Sequence, residues 1–566
     1  MDFKKKIASV LAELVPLKHE EIELLLTVPP NFTLGDYAFP CFKLGSNPHQ
    51  EALRLKDKLK SAAFLQKIDV VGPYLNFFIN KPILAEEVLA AIKKAKKNYG
   101  RGFENNKMIL EFCGPNTNKP LHLGHLRNMS LGQALVNLLA FNGNKVYPVN
   151  IVNDRGIHIC QSMVAYQKWG KNKQPDKKGD HFVGDYYVLF SKESQQHPEL
   201  MNLAQEMLFK WEMKDPEVLK LWKKMNSWVL TGFKETYQRF GISFDKEYYE
   251  SELYERGREV VLAGLKNGVF IKDDQKNIIA PLKSYGLPDK VVLRSDGTSV
   301  YITQDLYLAE QRYQDYKYDQ SIYVTASEQN LHFKQLFKLI ELLQKPFARK
   351  LLHFAYGLVH LPSGRMKSRE GTVIDADDLM DEICSLALKE VNERYPNLPK
   401  KERKNRTEKI GLAAIKFYML KIDPVRDMIF NPEESLKFEG ETGPYLQYTY
   451  ARTSSVLRKA GKVAGKINAI DYSKLSAAVE HNLVLMLSKF PEIVSAAARN
   501  YQPQTLCRYL LDLAQLFNEF YHACQIISTD DRSKELMKAR LQLVSSVRQV
   551  LNNGLSLLGI AALEEM

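Results

Sequence analysis

No apolar run in the 566-residue chain approaches the roughly 20 residues that a membrane-spanning helix needs; the longest, such as Leu483 to Leu487, are far shorter. Cysteine is scarce: six residues at 41, 113, 160, 384, 507 and 524, with no C-x-x-C pair. That spacing argues against a disulfide framework or a zinc knuckle and for a reducing, cytoplasmic compartment. All six read as structural or incidental. A secretory leader is not expected either. The first residues, MDFKKKIASVLAELVP, begin basic, but Glu13 interrupts the apolar stretch and no A-x-A site follows. Ile7, Val10, Leu11 and Leu14 instead predict an amphipathic helix. There is no internal repeat and no low-complexity segment, which excludes solenoids and disordered chains.

What is present is a globular balance of 45% hydrophobic and 26% charged residues. The length is too great for one core and suits three or four domains. Lys and Arg number 79 against 66 Asp and Glu, a formal charge of +13. That surplus favours a polyanionic partner; nucleic acid, an anionic membrane surface and plain solubility are all compatible with it.

Four zones follow from the pattern. Residues 1–95 combine the first helix with an extended run, Ile68 to Ile79, and a helical stretch from Ile83 to Lys97. That predicts a small α+β domain. Residues 96–380 open with a buried strand at Met108–Cys113, a helix from Leu123 to Phe141 and a strand from Lys145 to Val152. A strand–helix–strand unit of about 45 residues marks a parallel, doubly wound α/β sheet. A helical insertion, about 165–265, carries all four tryptophans. Strand-like segments return at Val291–Arg294, Ser299–Ile302 and Ser321–Val324, and these are expected to complete the sheet. Residues 381–430 read as a helical connection in which Lys400 to Arg406 is a basic, solvated loop or helix end. Residues 431–566 read as an all-α bundle, with Leu446, Tyr450, Thr453 and Leu457, then Leu506, Leu510, Leu513, Phe517 and Phe520, as its apolar stripes.

Two segments carry chemistry. Pro120-Leu-His122-Leu-Gly124-His125-Leu-Arg127 stands where the first strand turns into the helix. A helix N-terminus offers free N–H groups and a positive dipole end, hence an anion site. Gly124 would admit a flat base or phosphate, and His122 and His125 could donate to phosphate oxygens. The plain alternative is two satisfied histidines at a helix start. The position after the first strand of a doubly wound sheet favours the ligand reading. Gly364-Arg365-Met366-Lys367-Ser368-Arg369-Glu-Gly371 is a Gly-bounded basic loop after the second set of strands. Alone it would be a surface loop; with the first segment it suits charge stabilisation at a triphosphate.

Together the two resemble the HIGH and KMSKS signatures of class I aminoacyl-tRNA synthetases. The run from Glu111 to Arg127 is similar to the signature segment of arginyl-tRNA synthetases. So are Val152-Asn-Asp154-Arg-Gly156, Asp296 to Asp305, and Phe438 to Tyr448. Gly35-Asp-Tyr-Ala and Val71 to Phe78 resemble that family's added N-terminal domain, and the Leu-Gly-Ile…Met ending resembles its terminus. The resemblance spans essentially the whole chain.

It implies a Rossmann-like catalytic domain between a tRNA-elbow-binding N-terminal domain and a helical anticodon-binding domain. The reaction implied is arginine plus ATP to arginyl-adenylate, then transfer to the 2′-hydroxyl of the terminal adenosine of tRNA(Arg). Mg²⁺ would come with ATP; no resident metal site and no membrane partner are implied, and a monomer is expected. By similarity Glu111 and Asp305 face the guanidinium with Tyr301 packed and hydrogen-bonded beside them, and Asn116 and Gln329 hold the amino and carboxylate end. A guanidinium pocket needs such acids. The plain readings are an N-cap for Asp305 and, for Glu111, an acid in an apolar strand that needs a partner.

Aligned on Met366, the first lysine of KMSKS is Arg365, the serine Lys367 and the second lysine Ser368. The family's substitute for that lysine precedes HIGH, where Lys119 stands. Lys119, His122 and His125 are therefore expected at the triphosphate, helped by Arg365 and Lys367, with Gly124 and Met366 along the ATP. Arg155 and His158 receive no role. Tyr445, Tyr448 and Arg452 are expected to contact tRNA by stacking and charge, with half of the nearby tyrosines in the core.

Three other readings compete. A small nucleotidyltransferase shares H-x-G-H but is shorter and lacks the helical C-terminal zone. Another class I synthetase would lack the Tyr301–Asp305 pair. A non-catalytic tRNA-binding relative would lose phosphate-site residues, and the altered basic loop is the one feature in its favour.

Overall fold

The computed structural model describes residues 3–29, 31–59, 62–362, 374–461, 470–528 and 530–566. The N-terminal segment folds as three antiparallel strands, β1 (Tyr37–Pro40), β2 (Leu65–Val71) and β3 (Tyr74–Ile79), in the order β1-β3-β2. The helices Phe3–Ala12, Pro48–Lys58 and Lys81–Ala95 accompany them. Asn47 and Asn80 cap the second and third of these helices ahead of a proline in the first turn, which suits proline because its missing N–H would have no partner there. Phe3, Ile7 and Leu11 are buried, so the apolar stripe of the first helix is its core face.

Five parallel strands form the main sheet: β4 (Lys107–Glu111), β5 (Lys145–Val152), β6 (Lys246–Tyr249), then β10 (Gln320–Ala326) and β11 (Leu351–Tyr356) after a separate antiparallel sheet of β7 (Ile271–Lys272), β8 (Ile278–Ala280) and β9 (Lys290–Leu293). The order is β11-β10-β4-β5-β6. The order in which the parallel strands are laid down therefore switches between β4 and β10, and a crevice opens at the carboxyl ends of those two strands. Met108, Ile109 and Leu110 are all buried because helices cover both faces.

Three expectations change. Ser299–Ile302 is not a strand. Val300 is the extended N-cap of the helix Tyr301–Tyr316, and its N–H donates to Thr303 Oγ1 at 3.0 Å. β-branched and aromatic residues there imitate a strand, but the helical bonds that follow decide the matter. Val291–Arg294 does yield a strand, β9, yet it pairs with β8 outside the parallel sheet. Third, β6 lies within the stretch read as helical insertion and forms the sheet edge against β5. The basic run from Lys400 opens the helix Lys400–Leu420, where Arg406 is buried over the Tyr395 ring and held by Glu402.

The C-terminal zone packs the helices Gly443–Ala460, Ala478–Arg499, Pro503–Ala523 and Lys534–Leu557 around Leu506, Leu510, Leu513, Phe517 and Phe520, all fully buried. Each such side chain contributes about 1.5–3 kcal/mol on leaving water. Tyr450 and Thr453 are core as well. This bundle is tied to the α/β domain. Asn137, near the end of the Leu123–Phe141 helix, donates to the Ser556 and Leu557 carbonyls. Lys416 donates to Gly559 O at 2.8 Å.

Candidate active site

The crevice is a cavity of about 880 Å³, within the usual range for small-ligand sites. Its floor is built by local backbone necessity. Beyond β4 the chain turns sharply, with φ +83° at Cys113 and +63° at Gly114. Asn128 stabilises that turn: its Oδ1 accepts from Cys113 N, and its Nδ2 donates to Val324 O and lies 3.0 Å from the Tyr356 hydroxyl. One buried amide thus joins β4, β10 and β11. Arg127, fully buried, donates to the carbonyls of Leu358, Pro424 and Arg426.

The Leu123–Phe141 helix points its N-terminus into the cavity wall. His122 is its N-cap: its Nδ1 accepts from Gly124 N at 3.1 Å, while His125 Nδ1 accepts from His122 N at 3.0 Å. The rings lie 3.9 Å apart. Both Nδ1 atoms are acceptors, so each neutral ring carries its proton on Nε2 and retains a donor. Burial, with the Lys119 ammonium nearby, lowers the His122 pKa to about 4 and holds His125 well below its ordinary value. Both are uncharged at neutral pH. Gly124 also serves its neighbour: a Cβ there would stand 3.0 Å from His122 Cε1, so the bare position makes room for the folded-back ring.

The other end of the cavity is acidic. Glu111, at the end of β4, meets the fully buried Arg312, whose guanidinium lies between the Tyr248 and Tyr323 rings. The partner that an acid in an apolar strand requires is therefore internal. Asp305 Oδ2 lies 2.8 Å from His332 Nε2. Asn116 and Gln329 line the cavity, both exposed to it. Tyr301 also lines it, but at 64% exposure it stands at the rim rather than packed beside the acids, because it opens its helix at the cavity mouth. Glu111, Asn116, His122, Gly124, His125, Tyr301, Asp305 and Gln329 are thus brought to one cavity, with Lys119 beside the histidines. Arg365, Met366 and Lys367 lie outside the described residues.

In the C-terminal bundle, Arg452 is placed over the rings of Tyr448 and Tyr521, 4.8 and 5.0 Å from their centroids. Its guanidinium donates to Asn518 Oδ1 and the Tyr448 hydroxyl. Asn518 in turn donates to the Tyr445 hydroxyl. All three expected residues are half-buried beside surface pockets.

Residues 87–432 match the family model for the catalytic domain of class I (R) tRNA synthetases. Residues 446–566 match a DALR anticodon binding domain, and residues 1–79 match the arginyl-tRNA synthetase N-terminal domain. The chain belongs to the arginyl-tRNA synthetase family. It is 43% identical to the arginine–tRNA ligase of Treponema denticola, covering 100% of this chain and 99% of the relative. It is 42% identical to that of Bacteroides fragilis strain YCH46, over 93% of this chain and 92% of the relative. The solved Thermus thermophilus arginyl-tRNA synthetase superposes with a TM-score of 0.80 at 27% identity, covering 100% of this chain and 99% of that one.

Sequence reasoning passed over two groups close to this cavity of the arginyl-tRNA synthetase. Glu250, on the helix Glu250–Lys266, is buried; its Oε1 accepts from Gln304 at 2.6 Å and its Oε2 has no partner among the described residues. Burial first, then the nearby Asp154 and Asp305, raises its pKa to about 7 against the pull of Gln304 and Arg155. His332 is the second, as the holder of Asp305. Neither has a local signal: one is an acid in a helical first turn, the other a histidine on an amphipathic helix.

Proposed function

We propose that the histidine end of the cavity takes the ATP phosphates and the acidic end takes the arginine side chain. The enzyme is an arginine–tRNA ligase. An arginine carboxylate oxygen attacks the α-phosphorus of ATP, and the bond to pyrophosphate breaks in line. The 2′-hydroxyl of the terminal adenosine of tRNA(Arg) then attacks the arginyl carbonyl carbon, and AMP leaves. His122 and His125 supply Nε2–H donors to phosphate oxygens, Lys119 supplies charge, and the helix N-terminus adds its dipole. Gly124 and Met366 lie along the nucleotide, and Arg365 and Lys367 assist the triphosphate. Mg²⁺ arrives with ATP as part of the substrate. No side chain is needed as nucleophile; positioning and charge stabilisation carry the rate.

Asp305 receives the guanidinium, because it lines the cavity and its Oδ1 has no internal donor among the described residues; Glu250, buried nearby, adds negative charge. Glu111 acts at one remove, as the counter-ion of Arg312. Asn116 and Gln329 hold the amino and carboxylate groups, and Tyr301 closes the rim. Residues 96–380 are the catalytic unit, 381–430 the connection, 1–95 the elbow-binding domain and 431–566 the anticodon-binding domain, where Tyr445, Tyr448 and Arg452 meet RNA. A monomer in the cytoplasm fits a chain whose cavity is lined by its own residues and whose six cysteines are free and buried. No described helix is long and apolar enough to cross a membrane.

The observation that carries this reading is one cavity with neutral donors at a helix mouth and the incompletely paired Asp305 opposite. The test is ATP-dependent charging of a matched tRNA pool. Arginine is charged, while lysine and cysteine are not; no arginine charging overturns the reading.

A further inference from the structure

The segment Pro120–Leu123 does not stand alone. It pairs antiparallel with residues 374–376: Leu123 N donates to Ile374 O, Ala376 N donates to Leu121 O, both at 2.9 Å, and His122 faces Asp375 across the bridge. Asp375 also caps the helix Ala376–Arg394, its Oδ1 accepting from Asp377 N and Asp378 N. Two hydrogen bonds between short extended segments do not fix a backbone by themselves, since an isolated two-stranded pairing is marginal in water. Something else must hold this one.

The helix Gly179–Glu193 of the insertion reaches both sides of the pairing. On one side, a Cβ at Gly184 would stand 2.8 Å from Pro120 Cδ and 3.7 Å from Lys119 Cα, so the helix lies directly on the stretch ahead of His122. On the other side lies a charge cluster. Lys178 Nζ meets Asp377 Oδ2 at 2.7 Å, Asp180 Oδ2 at 2.8 Å and Thr236 Oγ1 at 2.6 Å. His181 Nε2 lies 3.2 Å from Asp377 Oδ2 and 3.6 Å from Asp375 Oδ2. Asp375 Oδ2 is buried and without a hydrogen bond among the described residues, so His181 is its nearest compensating group. Asp180, His181 and Asp377 could be taken for metal ligands, since their ligand atoms lie within 4.8 Å of one another. The Lys178 ammonium already sits on both carboxylates. The cluster is an internal ion-pair network.

We propose that His181 and Lys178 are positioning residues for ATP: through Asp375 and Asp377 they hold the short pairing that sets the His122 backbone at the helix mouth. The insertion is then a brace for the phosphate site as well as a surface feature. Three carboxylates face two cationic groups, and Lys178 is shared by Asp180 and Asp377. Asp375 therefore depends on His181, and protonated His181 ties it best. Burial opposes that charge, but the Asp377 hydrogen bond and the Asp375 charge hold the His181 pKa above 6.5. A group with a raised pKa holds its interaction fully at lower pH and loses it as pH rises through that pKa. Burial raises the Asp375 pKa to about 6, so above neutrality it is ionised and faces His181, while across the bridge His122 and His125 stay neutral.

This inference rests on the assignment of the histidine pair to ATP, and the experiment separates the two. Steady-state charging by the full chain is measured with ATP and arginine varied separately, for His181→Leu, His181→Gln and His125→Ala, each checked by thermal melting. His181→Leu is expected to raise the KM for ATP about tenfold and to leave the KM for arginine unchanged. His181→Gln, which keeps a donor, restores most of the loss. In the native chain the KM for ATP rises with pH above neutrality relative to His181→Gln; the titration of ATP itself is common to both. An unchanged KM for ATP in folded His181→Leu, an equal rise in both KM values, or a glutamine variant as poor as the leucine one overturns the brace. Should the leucine variant not fold, Asp377→Asn is read by the same criteria. If His125→Ala leaves ATP use unchanged, the assignment of the ATP site itself fails.

Discussion

Nε2 of His332 lies 2.8 Å from Oδ2 of Asp305, which leaves Oδ1 as the oxygen without a partner among the described residues. Glu250 is treated alike: Gln304 takes Oε1 and leaves Oε2. Asp305 lines the cavity and presents its oxygen there, whereas the Glu250 oxygen is buried. A planar guanidinium, with five N–H donors in a fixed fork, suits the open Asp305 oxygen, with the Glu250 charge nearby, better than the point charge of a lysine ammonium does.

Asp305→Ala should therefore remove arginine use and spare the nucleotide. The expected result is a loss of at least about 100-fold in kcat/KM for arginine, the cost of leaving a buried charged contact unmade. ATP affinity, read by equilibrium binding, stays close to native. Normal charging by this variant would place the pocket elsewhere.

The proposed part of Glu250 in the arginine site predicts that arginine binding depends on pH. Its pKa is raised to about 7, chiefly by burial. The protonated acid cannot pair with a guanidinium, so the KM for arginine should fall as pH rises from 6 to 8. Glu250→Gln should flatten that dependence and weaken arginine at the upper end. A native profile with no slope across this range counts against the role.

Arg312 is the internal counter-ion of Glu111, and both are buried. Arg312→Met leaves Glu111 without its partner and should destabilise the fold by about 3–5 kcal/mol. Chemical denaturation at neutral pH measures this. Pairing it with Glu111→Gln should recover part of the loss, because the stranded charge is then gone.

Lys416 is buried with one acceptor, Gly559 O, and lies over the Phe240 ring. Burial lowers its pKa to about 8. A base whose folded pKa is depressed penalises folding below that pKa, and the penalty fades as pH rises toward its ordinary value. Lys416→Met should raise Tm at pH 7, and the advantage should shrink by pH 10. A lower Tm at neutral pH would show that the Gly559 bond outweighs the desolvation cost.

Much of the frame was legible because the pattern and the physics agree locally. The helix Leu123–Phe141 and the strand Lys145–Val152 have the bounds that periodicity and the Asn142-Gly143 break imply. Ser299–Ile302 misled because three strand-favouring residues, Val300, Tyr301 and Ile302, weigh little against a capped helix continuing through Asp305. β6 was hidden since its four residues fall between two long helices, and only the exposed edge of β5 gives them a partner. At the site, signature spacing located the histidines and Asp305. It did not reveal that Gly124 serves the His122 ring, or that Glu111 is already paired. Those are facts of three-dimensional neighbours: Arg312 is far from Glu111 along the chain and meets it only because β4 pairs with β10 and the Tyr301–Tyr316 helix packs behind them.

The Leu123–Phe141 helix carries His122 at one end, and Asn137 near the other holds the last turns of Lys534–Leu557. Nineteen residues make a rod about 28 Å long. It is a lever arm: a tilt of one degree at the end held by the C-terminal bundle carries the His122 end through about 0.5 Å, the tolerance within which catalytic groups must be held.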